Sequence, residues 1–188
     1  MRLTSADSRG PTYRSQRLKT VWLLALPFLY LSRPSPRLLL VGALISVSGL
    51  LLRAYSAGFI HKDRELAIGG PYGLLRHPLY VGSFLLGLGL SLAGGRWWYP
   101  LLFSGLFGWL YHRTILSEET ELIHRFGQEY KAYRGQVPAV IPQLRRDYTP
   151  PPVPGFRFWL YRRNKEWQAS LGVFLGYWIL WLKMSLAL

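Results

Sequence analysis

The stretch Gly70-Pro-Tyr-Gly-Leu-Leu-Arg-His-Pro-Leu-Tyr80 leads into two apolar runs, and a second polar stretch, Glu118-Glu-Thr-Glu-Leu-Ile-His-Arg-Phe-Gly-Gln-Glu-Tyr-Lys-Ala-Tyr133, follows them. The apolar runs, 79–95 and 97–116, are each long enough to cross a bilayer as a helix. A hairpin of two such helices returns both polar stretches to the same membrane surface. The sequence therefore predicts an all-α integral membrane protein with a polar site beside lipid.

The composition fits a membrane protein and excludes several kinds of site. Half of the 188 residues are hydrophobic, the mean hydropathy is +0.12, and 17% are charged, against about 25% in soluble domains. The chain has no Cys, which excludes disulfides, thiolate metal sites and Cys nucleophiles. The formal net charge is +14, but the basic residues flank apolar runs, which favours orientation in a membrane over nucleic-acid binding.

Three further apolar runs, 21–31, 38–60 and 169–188, bring the predicted bundle to about five transmembrane helices. Between them, apolar residues recur at helical spacing in 117–133, which predicts an amphipathic helix. The predicted organisation is a basic cytosolic tail (1–19), an N-terminal transmembrane hairpin (20–60), a core of loop, transmembrane hairpin and acidic amphipathic helix (61–148), a Pro-rich linker with an interfacial segment (149–167) and a C-terminal transmembrane helix (168–188).

The distribution of basic residues predicts the orientation. With five spans, eighteen Lys and Arg side chains lie on the face that carries the N-terminus and both polar stretches, and four lie on the other. The positive-inside rule places the first face in the cytoplasm, as in a bacterial inner membrane, and the C-terminus outside. Arg53 interrupts the run 38–60 near its end, where its side chain is expected to extend to the membrane surface.

Three acids, Glu118, Glu119 and Glu121, follow the fourth apolar run. One interpretation is a solvated helix start in which Glu121 pairs with Arg125 four residues later. The alternative is that one or two of the carboxylates face inward and bind a cationic or hydroxyl-rich ligand. The sequence pattern alone leaves both open.

His77 stands before Pro78, which forces an extended or turn conformation ahead of a helix. Tyr72 and Tyr80 lie nearby in the sequence, so the helix entrance offers hydrogen-bond donors and aromatic faces, although a purely structural cap fits equally well. The remaining histidines lack ligand-like spacing, so no metal site is expected.

The two stretches together resemble those of the isoprenylcysteine carboxyl methyltransferases and their bacterial relatives. The resemblance rests on Gly70-Pro71-Tyr72, Arg76-His77-Pro78-x-Tyr80, Glu118-Glu119, Phe126-Gly127, Tyr130-x2-Tyr133, Val137-Pro138 and Ile141-Pro142, and it covers roughly residues 38–145. It implies a methyltransferase that binds S-adenosyl-L-methionine at the cytosolic membrane surface. The implied acceptor is lipophilic and enters from the bilayer, most simply as the carboxylate of an isoprenylcysteine-like molecule.

The resemblance also implies site residues. His77, Glu118 and Arg113 are the expected catalytic group, with Thr114 as the alternative to Arg113 for contacting substrate. The expected cofactor-binding residues are Arg64, Glu65, Leu66, Ala67, Tyr72, His77, Pro78, Leu79, Tyr80, Glu118 and Glu119.

Three other functions stay open at this point. A phospholipid N-methyltransferase would share the cofactor and differ in the acceptor. A sterol-reductase-like protein would use NADPH, but those enzymes usually show Asn where this chain has Pro78-Leu79. A non-catalytic membrane scaffold would need neither motif. The expected partners are membrane lipids and the lipophilic substrate but not nucleic acid, and the Gly172-x3-Gly176 pattern fits packing within the chain or a homodimer.

Overall fold

The structure, a computed structural model, describes residues 25–60, 65–142 and 155–186, so the predicted basic tail and the start of the Pro-rich linker lie outside it. All regular elements in these ranges are helical, which confirms the all-α prediction. They are α1 (25–31), α2 (Pro36–Ala57), a 3-10 turn (Gly70–Gly73), α3 (Pro78–Ala93), α4 (Trp98–Gln136), α5 (Phe158–Arg163) and α6 (Trp167–Ser185).

Helix α2 begins and ends close to the predicted 38–60. Ser35 caps it by accepting a hydrogen bond from the Leu38 backbone N–H at 3.5 Å, and Pro36 occupies the first helical position, where its missing N–H costs nothing. Its 22 residues extend about 33 Å. Among the described helices, length and composition mark only α2 as able to cross a bilayer, since the apolar α3 has 16 residues. The number of five spans remains a prediction.

Helices α2 and α3 cross at van der Waals contact of their backbones. A methyl group added to Gly42 would overlap the carbonyl oxygen of Gly89, and one added to Gly49 would overlap that of Gly82. Close approach through small residues is typical of helix pairs in membranes. Gly82 and Gly89 of α3 therefore serve helix packing.

Helix α4 differs from the prediction of a separate amphipathic helix at 117–133. It continues through residue 117 without interruption, because no Pro or Gly stands there to end it. The break falls instead at Gly127, whose φ of 55° and ψ of −122° lie outside the helical region and suit only glycine. Beyond the break the chain turns back, and Tyr130, Tyr133 and Val137 pack with Ile68 in a buried cluster.

This return brings the two polar stretches together through their backbones. The Arg76 N–H donates to the Pro138 carbonyl at 2.8 Å, and the His77 N–H donates to the Ala139 carbonyl at 3.0 Å. The Tyr133 hydroxyl adds a hydrogen bond to the Tyr72 carbonyl at 2.7 Å. The predicted juxtaposition of the two stretches is therefore present.

The C-terminal segment, 155–186, packs against α2. The Tyr177 hydroxyl lies 2.9 Å from Ser46 Oγ, and Lys183 donates to two carbonyls of the α1 region at its far end. The guanidinium of Arg53 forms an ion pair with Glu166, a partner 113 residues away that local sequence could not reveal. The Arg53 side chain is 21% exposed, and its extension to the membrane surface stays a prediction.

Candidate functional site

The two polar stretches enclose a cavity of about 230 Å³. The loop before the 3-10 turn forms one wall, the turn into α3 a second, and the middle of α4 a third. Its lining comprises Ile60, Glu65, Leu66, Ala67, Tyr72, Arg76, His77, Glu118, Glu121, Leu122, Arg125, Phe126, Tyr130 and Tyr133.

Glu119 is bound by protein charges and does not line this cavity. Arg76 contacts its Oε1 through Nε at 3.0 Å and Nη2 at 2.7 Å, and Arg134 Nε lies 3.3 Å from its Oε2. His77 Nε2 lies 3.3 Å from Oε1. Burial alone would raise the pKa of this carboxyl, but the hydrogen bond from His77 and the charges of Arg76 and Arg134 bring the pKa below its ordinary value. Glu119 is therefore an ionised anchor.

Arg76 also joins the end of α4 to the entrance of α3. Its Nη1 donates to the carbonyls of Arg134 and Val137, each at 2.8 Å. Planar guanidinium groups suit such multiple hydrogen bonds. Arg76 thus fixes the end of α4 against the entrance of α3, and its side chain also forms part of the cavity wall.

Glu118 takes the opposite role. It lies one residue, and so about 100° around the helix, from Glu119, and it faces the cavity with its side chain 40% exposed. The Tyr80 hydroxyl donates to its Oε2 at 2.6 Å, and His77 Nδ1 lies 3.8 Å from the same atom. Of the paired acids, Glu118 is the one able to meet a ligand.

His77 lies both at the start of α3 and on the cavity. It is the N-cap of α3, with Pro78 next at the first helical position, and it is buried. Its ring lies between the two glutamates and stacks at 5.6 Å on Tyr80. The His77 backbone thus occupies the N-cap position of α3, while its side chain makes no capping hydrogen bond and lines the cavity.

Two buried phenols, Tyr72 and Tyr130, line the cavity with hydroxyls that have no hydrogen-bond partner among the residues that the structure describes. Burial, followed by the nearby Tyr133 and Glu118, raises the pKa of Tyr72, and burial, with Glu119 next, raises the pKa of Tyr130 to about 12. Both hydroxyls therefore stay protonated as donors. An unpaired buried donor costs roughly 1–3 kcal/mol, which a ligand acceptor would recover.

Six of the eleven expected cofactor residues line the cavity, four others do not, and Arg64 falls outside the described residues. Of the four, Glu119 is the anchor, Pro78 and Leu79 are not in the lining, and Tyr80 contacts the cavity residue Glu118 through its hydroxyl. The residues that the structure brings to the cavity as expected are Glu65, Leu66, Ala67, Tyr72, His77 and Glu118.

The expected substrate arginine lies away from the cavity. The guanidinium of Arg113 sits 5.2 Å over the ring of Trp109 on an exposed face of α4. The alternative, Thr114, donates its hydroxyl to the Leu110 carbonyl of its own helix. Neither side chain is part of the lining, so a role for either in substrate contact stays a prediction.

Several lining residues on α4 were not assigned to the cavity from the sequence. Leu122, Arg125 and Phe126 follow Glu118 at steps of three and four residues, which places them on the same helix face, and this spacing was the signal that could have identified them. Glu121, which the sequence offered as one of three carboxylates able to face a ligand, lines the cavity on the same face. Tyr130 belongs to the motif resemblance and also lines the cavity, but its position depends on the break at Gly127.

A second, apolar groove of about 400 Å³ lies between α3 and α4. Phe107 and Tyr111 stack at 3.8 Å along it, and Tyr80 contacts Tyr111 edge-on at 5.0 Å. Tyr80 lines this groove while its hydroxyl holds Glu118 of the first cavity, so the two spaces meet at that hydrogen bond. The groove is lined by Tyr80, Val81, Phe84, Ser104, Phe107, Gly108, Tyr111, His112, Ile115 and Val140.

Comparison with known proteins relates the central part of the chain to a family. Residues 37–129, just under half of the chain, match the family described as phospholipid methyltransferase, and they contain nearly all of α2, all of α3 and most of α4. The resemblance noted from the two motifs is thereby confirmed.

Relatives within and around this family carry several names. The chain is 39% identical over 84 residues to the protein-S-isoprenylcysteine O-methyltransferase of Schizosaccharomyces pombe (45% of this chain, 36% of that protein). It is 30% identical over 144 residues to the cobalt-zinc-cadmium resistance protein CzcN of Cupriavidus metallidurans (74% and 59%). It is 32% identical over 87 residues to the Delta(14)-sterol reductase TM7SF2 of Mus musculus (43% and 20%). The chain thus covers less than two thirds of each of these relatives.

Proposed function

We propose that the protein is an integral membrane methyltransferase that uses S-adenosylmethionine to methylate a lipophilic acceptor, with the carboxylate of an isoprenylcysteine-like molecule as the favoured acceptor. The hydrogen bond between Tyr80 and Glu118 carries this proposal, because it joins a polar cavity to an apolar groove. A methyl donor and a lipid acceptor need two such spaces with a common boundary. The match of residues 37–129 to the phospholipid methyltransferase family supports the reaction class.

The cavity offers groups that suit the cofactor. The apolar side chains of Leu122 and Phe126 provide surfaces for an adenine ring, and Glu118 provides a carboxylate for hydroxyls or positive charge. The two phenols that lack partners, Tyr72 and Tyr130, provide donors. When bound, the cofactor supplies a methyl group activated by a sulfonium.

When the acceptor is a carboxylate, the reaction requires little proton transfer by the protein. Such an acceptor is already anionic at neutral pH, so the residues mainly align the reactants and exclude water. An amine acceptor must lose a proton, and His77 Nδ1 beside Glu118 is the group able to take it. Glu119 does not serve as the base, since it is held in its ion pairs with Arg76 and Arg134.

The membrane arrangement is part of the proposal. We assign the five spans to 21–31, α2, α3, the apolar half of α4 and α6, with the cavity facing the cytoplasm and the C-terminus outside. Large apolar side chains are exposed along these helices, as expected where lipid covers them. Examples are Leu40, Leu44 and Leu51 on α2, Leu101 and Leu106 on α4, and Leu171, Phe174 and Trp178 on α6.

The names of the relatives support two acceptor classes. The isoprenylcysteine O-methyltransferase relative favours a carboxylate, and the family description favours a phospholipid amine. Labelled S-adenosylmethionine supplied with a prenylcysteine or with phosphatidylethanolamine vesicles separates them by which product carries the label. A sterol-reductase-like function predicts instead that NADPH, rather than S-adenosylhomocysteine, raises the melting temperature.

Calorimetry with S-adenosylhomocysteine tests the central claim. The purified wild-type protein in detergent should bind it, and His77→Ala and Glu118→Ala should bind it at least about tenfold more weakly. Glu129→Ala is the matched control, because Glu129 is an exposed acid on the same helix outside the lining. Absence of binding by the wild type, or equal affinity of all variants, would refute the proposal.

A further inference from the structure

The C-terminal segment, 155–186, lies outside the region that matches the family, yet it contacts the framework of the cavity. Its contacts with that framework are concentrated at one end, around Glu166 and Asn164. Near the opposite end of α6, Lys183 donates hydrogen bonds to the carbonyls of Leu29 and Tyr30 in the α1 region. The segment is therefore held to the rest of the protein in two places. The contacts of Glu166 and Asn164, called tethers below, lie near the cavity, and the contact of Lys183, the remote tether, lies far from it.

The first tether is the ion pair between Arg53 and Glu166. Arg53 Nε donates to Glu166 Oε2 and Nη2 to Oε1, each at 3.0 Å, with both side chains largely buried. Arg53 Nη1 also donates to the Leu79 carbonyl at 3.3 Å and to Ser83 Oγ. Glu166 thus fixes an arginine that itself holds the first turn of α3, directly after His77.

The second tether closes the end of α2. Asn164 Nδ2 donates to the Ala57 carbonyl at 3.0 Å and to the Ile60 carbonyl at 3.3 Å. Helix ends leave such carbonyls without intrahelical partners, so a side-chain amide stabilises this one conformation of the chain leaving α2. Ile60 is itself part of the cavity lining.

A third set of contacts reaches the loop wall. Arg157 Nη2 lies 3.8 Å from Glu65 Oε2, and the Arg157 N–H donates to the Gly58 carbonyl at 3.0 Å. The ring of Phe156 occupies the space that a side chain on Gly58 would need. Residues between 156 and 166 therefore hold three parts of the cavity framework, namely the first turn of α3, the end of α2 and the loop that contains Glu65.

We infer that Glu166 and Asn164 are positioning residues for the cofactor, acting through Arg53 and through the end of α2. The inference rests on the proposed function, since it names the support of that same site. The charges of the pair also reach the cavity, because both Glu166 and Arg53 influence the pKa of Tyr72, although burial is the larger cause of its rise. The C-terminal segment thus supports the walls of the cavity without lining it.

The test measures the affinity for S-adenosylhomocysteine by calorimetry, together with the melting temperature. Glu166→Gln keeps the size of the side chain but removes its charge, and Asn164→Ala removes the second tether without touching the ion pair. Each should raise the Kd for S-adenosylhomocysteine roughly tenfold. Lys183→Met is the control, because it cuts the remote tether about 25 Å along α6 from Glu166, and it should leave the Kd unchanged.

A double variant tests whether Glu166 acts through Arg53. In a protein that already carries Arg53→Gln, adding Glu166→Gln should not change the Kd for S-adenosylhomocysteine further, because Glu166 acts on the site through Arg53. Fully additive losses, or a Kd unchanged in both Glu166→Gln and Asn164→Ala, would overturn the inference. If the wild type fails to bind, the proposed function itself has failed. If Glu166→Gln does not fold, the comparison of Asn164→Ala with Lys183→Met decides the question.

Discussion

Arg76 contacts Glu119 Oε1 through two guanidinium nitrogens, at 3.0 and 2.7 Å, while Glu118 next to that acid faces the cavity. The pair of acids is therefore divided between an internal counter-charge and a ligand-facing group. Because the two residues are adjacent and chemically identical, they allow matched variants at one place in the fold. Several measurements can exploit this division.

The first prediction separates stability from binding. Glu119→Gln leaves Arg76 buried without its counter-charge and should lower the free energy of unfolding by about 3 kcal/mol. Glu118→Gln removes a half-exposed charge and should cost less than about 1 kcal/mol, yet it should weaken binding of S-adenosylhomocysteine. Denaturation in detergent micelles and calorimetry measure the two quantities. Equal losses of stability in the two variants would contradict the assigned roles.

The second prediction concerns how the melting temperature falls at low pH. The folded-state pKa of Glu119 is lowered from 4.5, so its ion pairs stabilise the protein above that pH, and the stabilisation is lost as the pH falls through the lowered pKa. The wild-type melting temperature should therefore drop below about pH 4.5 more steeply than that of Glu119→Gln. Glu129→Gln, which removes an exposed acid, should keep the wild-type slope. Parallel curves for all three proteins would exclude Glu119 as the cause.

The third prediction concerns the two phenols without partners. Tyr130→Phe removes a buried unpaired donor, so the unliganded protein should be unchanged or more stable by about 1 kcal/mol. The same variant should bind S-adenosylhomocysteine more weakly, and Tyr72→Phe should behave likewise. Melting temperatures with and without ligand measure both effects. Tyr133→Phe is the contrast, because its hydroxyl bonds to the Tyr72 carbonyl and its loss should destabilise the unliganded protein.

The fourth prediction tests the break in α4. Gly127→Ala forces an L-residue into a glycine-only conformation and should cost roughly 1–3 kcal/mol of stability. Gly135→Ala, at an exposed helical position with open space around it, should be neutral or stabilising by up to about 1 kcal/mol. Thermal unfolding of the two variants measures the difference. Similar behaviour of the two would mean that the break is not required.

The fifth prediction concerns the apolar groove. Gly108 lines it, and nothing lies within 4 Å of a side chain added there. Gly108→Phe should therefore fill the groove and raise the KM for the lipid acceptor, while the Kd for S-adenosylhomocysteine stays as in the wild type. Steady-state assays against the acceptor and calorimetry separate these effects. A changed Kd with an unchanged KM would assign the groove to the cofactor instead.

The sequence could predict the features that depend on local chemistry. The helical class and the meeting of the two motifs follow from the lengths of the apolar runs. The start of α2 at Ser35-Pro36 follows from residue types that favour the beginning of a helix. His77 and Glu118 were identified through the motif resemblance and lie on the cavity as expected. These features require only near neighbours in the chain or one hairpin.

The sequence could not predict contacts made by tertiary structure. Nothing near Arg53 indicates that Glu166 will neutralise it, and nothing in the sequence indicates that Arg76 and Arg134 will bind Glu119, which was expected to contact the cofactor. The continuity of α4 through residue 117 was also missed, because a change in surface polarity was interpreted as a boundary. A helix that passes from lipid into water changes its composition without changing its backbone.

The pairing of Arg76 and His77 with the carbonyls of Pro138 and Ala139 uses main-chain atoms alone. Side chains at 138 and 139 are therefore free to vary as far as this contact is concerned, whereas the number of residues between Gly127 and these carbonyls is not. One added or deleted residue in that interval would shift the register and leave two N–H groups at the entrance of α3 without acceptors. Among related chains, spacing in this interval should thus be more restricted than residue identity.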